Sequence, residues 1–235
     1  MKDNYNSNTS EIRERVFSTK NSNQVHKNFL RHIGKTQRGG KILDIGTGNG
    51  YILEEIQRKF PGDYPLFGVD LSYEMLEVAK GKNINADLQL ADNFNLPFGP
   101  GYFSTVTAKN VTRFSPKEIA RVLKNKGLFV FREYGKSKGL MEVAECFPER
   151  LIRSRDPDYY TKSLSNAGFT DICVRKYELK RKYSKEELGQ IVRMFPFIKN
   201  FGNADLKTID ELFKINDKIA IASDPFILTA RRKSR

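Results

Sequence analysis

Hydrophobic and polar positions along this chain switch repeatedly between two periods. Ile42, Leu43 and Ile45 make a short apolar run, the pattern of a strand buried on both faces. Ile52, Leu53, Ile56 and Phe60 then recur at three- and four-residue steps, which predicts an amphipathic helix over residues 51–60. The unit repeats. Residues 66–70 are an apolar run ending in an acid, followed by a helix that opens on Ser72, a good N-cap. Further strands are expected over 87–90, 103–108 and 127–131, with a helix at 115–123 whose early Pro116 tolerates the missing N–H. A helix over 158–168 ends on Gly168, residues 172–183 alternate as one long strand, and 225–230 form the last. Seven strands interleaved with helices predict an α/β fold, and 235 residues suffice for one sizeable core.

The first strand runs into a turn that is built for a ligand. Residues 44–50 read Asp-Ile-Gly-Thr-Gly-Asn-Gly, so Gly46, Gly48 and Gly50 let the backbone turn tightly and approach a bound molecule. Dinucleotide enzymes use G-x-G-x-x-G, with pyrophosphate on the helix N-terminus. Here the spacing is G-x-G-x-G and Asp44 stands two residues before it. A carboxylate there suits a cationic group and repels a pyrophosphate. This stretch resembles the first motif of the class I S-adenosylmethionine (SAM) dependent methyltransferases. Their later motifs follow in order: Leu66-Phe-Gly-Val-Asp70, then Asp87-Leu-Gln-Leu-Ala-Asp92-Asn93 with Phe94-Asn-Leu-Pro-Phe98.

The resemblance spans about residues 40–232 and implies a Rossmann-like, seven-stranded, mostly parallel sheet with an antiparallel last strand and helices on both faces. It implies S-adenosyl-L-methionine as cofactor. Asp44, Gly46, Thr47, Gly48 and Gly50 form the turn, and Asp70 would accept from both ribose hydroxyls, a charge-assisted pairing. Asp92 would accept from the adenine amino group, Asn93 would offer its backbone N–H, and Phe94, Leu71 and Met75 would cover the ring. For those three apolar residues ordinary core packing is an equal alternative. Lys109, Asn110 and Arg113 leave the carboxyl end of the fourth strand, where α/β sheets place their chemistry, and Lys109 is counted with the cofactor-binding residues.

Segments outside that frame are expected to choose the acceptor. Residues 1–40, with Val16, Phe17, Val25, Phe29, Leu30 and Ile33 at helical spacing, would form a helical lid over a methyltransferase domain at 41–235. Insertions at about 134–156 and 185–218 lie on the acceptor side. Glu133, Asp156 and Asp158 interleave with Tyr134, Tyr159 and Tyr160, which suits a cationic or amine substrate. Arg132, Arg153 and Arg155 could equally pair with those acids as solvated surface. On this side the chain is similar to N-methyltransferases of azole-containing peptide natural products of the plantazolicin type. It is as similar in its cofactor motifs to C-methyltransferases of quinone biosynthesis. The expected function is methyl transfer to a small-molecule or peptide-derived acceptor, N-methylation favoured, with Asn110, Glu133, Asp156, Asp158 and Tyr160 as catalytic candidates.

Composition trims the alternatives. The net charge of +13 invites a tRNA or rRNA substrate, but the 41 Lys and Arg are spread along the chain, so nucleic acid is not favoured. After the fourth strand no Asp or Asn precedes Pro-Pro-aromatic, the pattern of enzymes that methylate base amines. His26 and His32 are the only histidines, and no C-x-x-C or H-E-x-x-H is present, so no metal is expected. Cys146 and Cys173 fit reduced thiols, no apolar run is long enough for a membrane span, and a cytoplasmic protein is expected.

Overall fold

The computed structural model describes residues 24–135, 139–152, 155–194 and 197–234. Val16, Phe17 and Arg153 lie outside the described residues. The strands are β1 (Ile42–Ile45), β2 (Leu66–Asp70), β3 (Ala86–Leu90), β4 (Phe103–Lys109), β5 (Leu123–Tyr134), β6 (Phe169–Lys176), β7 (Leu179–Ser184), β8 (Lys218–Ser223) and β9 (Pro225–Arg232). The helices are α1 (Gln24–Ile33), α2 (Tyr51–Lys59), α3 (Tyr73–Lys80), α4 (Pro116–Val122), α5 (Met141–Glu145), α6 (Pro157–Asn166), α7 (Lys185–Met194) and α8 (Asn203–Asp210).

Seven strands form one sheet in the order β3-β2-β1-β4-β5-β9-β6, mostly parallel with one antiparallel strand. β1 lies inside the sheet between β2 and β4, parallel to both, with all four residues buried. Asp44 sits opposite Gly68 on one side and Thr107 on the other. The helices after each strand follow from local signals. Ser72 caps α3 by accepting from the Met75 N–H, and Ser115 caps α4 by accepting from the Glu118 N–H. α2 buries Ile52, Leu53 and Ile56, and α1 buries Val25, Phe29, Leu30 and Ile33. Phe114, Phe129, Phe131 and Tyr160 stack or meet edge to face, an arrangement aromatic rings prefer, and Phe169 lies tilted against Phe129.

The chain divides into two compact units. One comprises residues 1–133, 158–175 and 227–235, and the other 134–157 and 176–226. The second unit contains the two-stranded antiparallel sheet β7-β8 with α5, α7 and α8. Within it Glu142 of α5 accepts from the Ala222 N–H of β8, and Arg150 forks onto Asp205 while donating to the carbonyls of Lys199 and Asn200. The insertions expected at 134–156 and 185–218 both fall in this unit.

One expected element is corrected. Residues 172–183 are not one long strand: β6 ends at Lys176, and β7 begins at Leu179 in the other sheet. The burial pattern gives the reason. Past the buried Phe169 and the left-handed Asp171, Ile172 and Val174 are the more buried positions of β6, whereas Leu179, Arg181 and Tyr183 are those of β7. Even positions give way to odd ones, and a strand of period two cannot keep both sets on one face without a break.

Candidate functional site

The carboxyl end of β1 opens into the glycine turn. Gly46, Gly48 and Gly50 all have left-handed backbones, with φ of 61°, 55° and 73°. A Cβ on Gly46 would lie 2.6 Å from Val111 Cγ2, and one on Gly50 would lie 2.7 Å from Ile84 Cδ1. Both conformation and space therefore demand glycine at these two positions. Asp70, at the end of β2, ties into the turn: its Oδ2 accepts from the Gly48 N–H at 2.7 Å and its Oδ1 from the Ser72 N–H at 3.0 Å. A carboxylate offers about four lone-pair sites, so each oxygen keeps capacity for a ligand hydroxyl.

Asp44 is buried directly behind the turn, 2% exposed, with Thr107 Oγ1 donating to its Oδ1 at 2.6 Å. Burial pushes its carboxyl up to about 6, against the opposing pull of the Thr107 and Thr47 hydroxyls and of Lys109, while Asp70 adds to the rise. The Thr47 hydroxyl acts on Asp44 from beyond hydrogen-bond geometry, since its Oγ1 is buried with no hydrogen-bond partner among the described residues.

Beside Asp70, two apolar side chains stand in the open. Leu71 is 65% exposed and Phe94 48%, whereas Met75 is buried beneath Gly48. Asp92 shapes the Phe94 loop by accepting from the Phe94 N–H at 2.9 Å. Asn93 is buried, and its Oδ1 meets no hydrogen-bond partner among the described residues. Arg121 of α4 pins this loop from behind, donating to the carbonyls of Leu96 and Phe98 while paired with Glu118, which accepts from the Leu96 N–H. A glycine cradle, a carboxylate with spare capacity, two exposed apolar faces and a buried unmet acceptor fit an adenosine-type ligand: hydroxyls for Asp70, a flat ring for Leu71 and Phe94, N–H donors for Asn93 and Asp92.

A second group of polar residues gathers at the carboxyl edge of β4 and β5. Lys109 holds its ammonium 4.4 Å from the centroid of the Tyr51 ring. Tyr51 Oη lies 3.3 Å from His26 Nε2, and that nitrogen lies 3.2 Å from Glu55 Oε2. Burial chiefly, with Lys109 and Arg132 adding to it, holds the His26 ring down at about 4 against the pull of Glu55. Asn110 takes a left-handed backbone, φ 58°; its N–H donates to the Arg132 carbonyl and its Oδ1 accepts from Arg132 Nη1 at 3.4 Å. Among the acceptor-side candidates, Glu133 is buried in β5, Asp156 is half-buried in the second unit, and Asp158 is exposed on α6. Tyr160 lies in the aromatic core, 1% exposed, with its hydroxyl donating to the Thr112 carbonyl, so it braces the loop after β4. Arg113 is exposed near the Phe94 ring.

The sequence had drawn no attention to Tyr51, Glu55 or His26 as site members. Tyr51 and Glu55 sit four apart on the helix that leaves the glycine turn, a spacing that puts them on one face and could have flagged them. His26 carries no such signal, because only the packing of α1 brings it there.

Comparison with known proteins bears on the domain and the fold. Residues 42–127 match the family model described as a methyltransferase domain. The chain is 36% identical over 109 residues to the ubiquinone/menaquinone biosynthesis C-methyltransferase UbiE of Geotalea uraniireducens, over 41% of this chain and 46% of that protein. The chain thus matches about half the length of such relatives. Among solved structures, the YcgJ protein of Bacillus subtilis superposes with a TM-score of 0.62 at 19% identity, covering 89% of this chain and all of that one. Phosphoethanolamine N-methyltransferase 2 of Haemonchus contortus, solved with phosphomonomethylethanolamine and S-adenosylhomocysteine, gives 0.62 at 21% identity over 95% of this chain and 57% of its own. The fold is that of the class I SAM-dependent methyltransferases.

Proposed function

We propose that this chain is a SAM-dependent methyltransferase whose acceptor is a small aromatic molecule bearing a hydroxyl, of the quinol type, methylated on carbon or oxygen. The observation that carries the cofactor is the Gly46–Gly50 turn with Asp70 bonded into it and Leu71 and Phe94 exposed beside it. When bound, SAM supplies an electrophilic methyl group whose transfer returns the C–S electron pair to sulfur and leaves the acceptor one proton to lose. The chain's residues hold and orient. Asp70 takes the ribose hydroxyls, Asp92 and Asn93 the adenine edge, Leu71, Phe94 and Met75 its faces, and the glycine turn with Thr47 lets the backbone approach. Asp44 lends its partial negative charge behind the turn, where a cation gains most from it. Alignment and exclusion of water then do most of the catalytic work.

The quinol-type acceptor is supported by the UbiE likeness and by the polar groups near the turn, which are Lys109, Arg132, Tyr51 and His26, donors and cations fit for an oxygen. N-methylation of an amine, which the acidic and aromatic sequence pattern favours, needs Glu133 and Asp158 to share a pocket. Glu133 is buried in the sheet while Asp158 is exposed, which weakens that reading. No helix among the described residues is long and apolar enough to cross a membrane. The test is incubation with methyl-tritiated SAM and two probes, 1,4-dihydroxynaphthalene and 1-naphthylmethylamine. One added methyl on the dihydroxynaphthalene is expected; methylation of the amine alone would reverse the choice of acceptor.

A further inference from the structure

The turn after β3 reverses the usual disposition of its side chains. Asp92, Asn93, Phe94 and Asn95 form a four-residue turn, closed by the Asn95 N–H donating to the Asp92 carbonyl at 2.9 Å. The Phe94 N–H donates to Asp92 Oδ1 at 2.9 Å. At such a corner polar side chains ordinarily meet water and apolar ones turn inward. Here Asp92, Asn95 and the 48% exposed Phe94 face solvent, while Asn93 is buried, at 9%. Its Oδ1 is sealed from solvent and accepts no hydrogen bond among the described residues. Arg121, which packs behind the loop, is committed to Glu118 and to the carbonyls of Leu96 and Phe98. A buried acceptor left unmet carries a desolvation cost, and the fold recovers it only when a donor arrives from outside. The turn also stands at the edge where the glycine cradle and Asp70 meet. Leu90 pairs with Asp70 across β2 and β3, and the Ala91 N–H donates to the Asp70 carbonyl at 3.0 Å. Asn93 follows two residues later, a span of at most about 7 Å, and the same Asp70 holds the Gly48 N–H at 2.7 Å.

We infer that the side-chain oxygen of Asn93 is the specificity-determining acceptor for the exocyclic amine of the bound purine, so that this chain selects a 6-amino purine over a ring lacking the amine. The inference rests on the methyltransferase reading and deepens it, from an edge that fits adenine to the one buried atom that tells adenine from its relatives. An exocyclic amine carries two N–H groups, so Asp92 keeps its place at the same edge. Asp92 is exposed, however, and an amine bonded to it replaces a water, which discriminates little. Asn93 Oδ1 passes from unmet to met, and a ring without the amine leaves it unmet inside the complex. The backbone that turns Asn93 inward also turns Phe94 outward, so one turn supplies both the acceptor and an apolar face for the ring.

The test is calorimetry of the full-length protein with S-adenosylhomocysteine and with its purine analogue, which carries hydrogen in place of the 6-amino group. The wild type should bind S-adenosylhomocysteine about 10–100-fold more tightly, the loss expected when a buried acceptor is left unpaired. Asn93→Leu should weaken S-adenosylhomocysteine alone and bring the two Kd values within about threefold of each other. It should also raise the thermal midpoint of the ligand-free protein by about 2–4 °C, since the unmet acceptor is gone. Asn93 has no left-handed backbone to obstruct that change. Asn93→Ala should lose the preference as well. Asp92→Asn keeps an oxygen for the Phe94 N–H and replaces the other with an amide nitrogen, and its preference should stay within about threefold of wild type. A preference that survives Asn93→Leu, or collapses in Asp92→Asn, overturns the proposal and returns the amine to Asp92. A lowered midpoint with both ligands weakened alike in Asn93→Leu makes Asn93 a structural brace and overturns it too. Equal wild-type affinity for the two ligands overturns the inference and leaves the methyltransferase reading standing. Failure of the wild type to bind S-adenosylhomocysteine at all brings down that reading and this inference with it.

Discussion

Asp44 and His26 make opposite contributions to stability across mildly acidic pH, and separating them tests the burial of both. Asp44 has its carboxyl raised from 3.8 to about 6 by burial, so between those values the folded state binds more protons than the unfolded chain. Its contribution therefore falls as pH rises. His26 is lowered from 6.5 to about 4, so the unfolded chain binds more protons in that window and its contribution rises with pH. Integrated between pH 4.5 and 6.0, each amounts to about 1.5 kcal/mol, with opposite sign. The wild type should thus show a nearly flat profile there. Asp44→Asn unmasks His26, and its stability should climb by about 1.5 kcal/mol from pH 4.5 to 6.0; His26→Gln unmasks Asp44, and its stability should drop by about as much. The assay is urea denaturation followed by far-ultraviolet circular dichroism at constant ionic strength, without ligand. The slopes matter more than the offsets, because the buried amide introduced by Asp44→Asn carries its own packing and hydrogen-bond cost at every pH. Three parallel profiles would refute the reasoning.

Gly46→Ala should lower stability by about 1–3 kcal/mol in thermal or urea unfolding, since it forces a left-handed alanine and drives Cβ to 2.6 Å from Val111 Cγ2; adding Val111→Ala should recover the steric part only. Full recovery would mean the backbone conformation costs nothing. Arg121→Leu should raise the Kd for SAM about three- to tenfold, through loss of two hydrogen bonds that pin the Phe94 loop, and an unchanged Kd in calorimetry would show the loop holds itself.

The central sheet was legible because its signals are local: an apolar run, a glycine turn and a capped helix each declare themselves within a short stretch of chain. The Gly46–Gly50 turn stood out because its left-handed backbone requires glycine, and Asp70 because it ends the next apolar run. The break at residues 177–178 was written in the parity of Val174 and Leu179, but a patch of alternating residues reads as continuous until a second sheet claims half of it. The two-unit division was invisible, because β7 and β8 are separated by α7 and α8 and pair only in three dimensions. His26 was equally hidden. A histidine on an apolar helix face looks like packing until the helix is docked and Tyr51 and Glu55 are found beside it. Glu133 and Tyr160, prominent in sequence for their chemistry, turned out to lie in the interior, where residue type alone does not tell a ligand contact from a brace.

The most direct measurement of the central claim is calorimetric titration of the purified protein with SAM, S-adenosylhomocysteine and NAD, repeated with Asp70→Ala. SAM and S-adenosylhomocysteine should bind the wild type without added metal and NAD should not. Asp70→Ala should weaken SAM by about 1.5–3 kcal/mol, the range for hydrogen bonds to a charged group. Binding of NAD in place of SAM, or equal SAM affinity in wild type and Asp70→Ala, would contradict the assignment of the glycine turn and the β2 carboxylate to this cofactor.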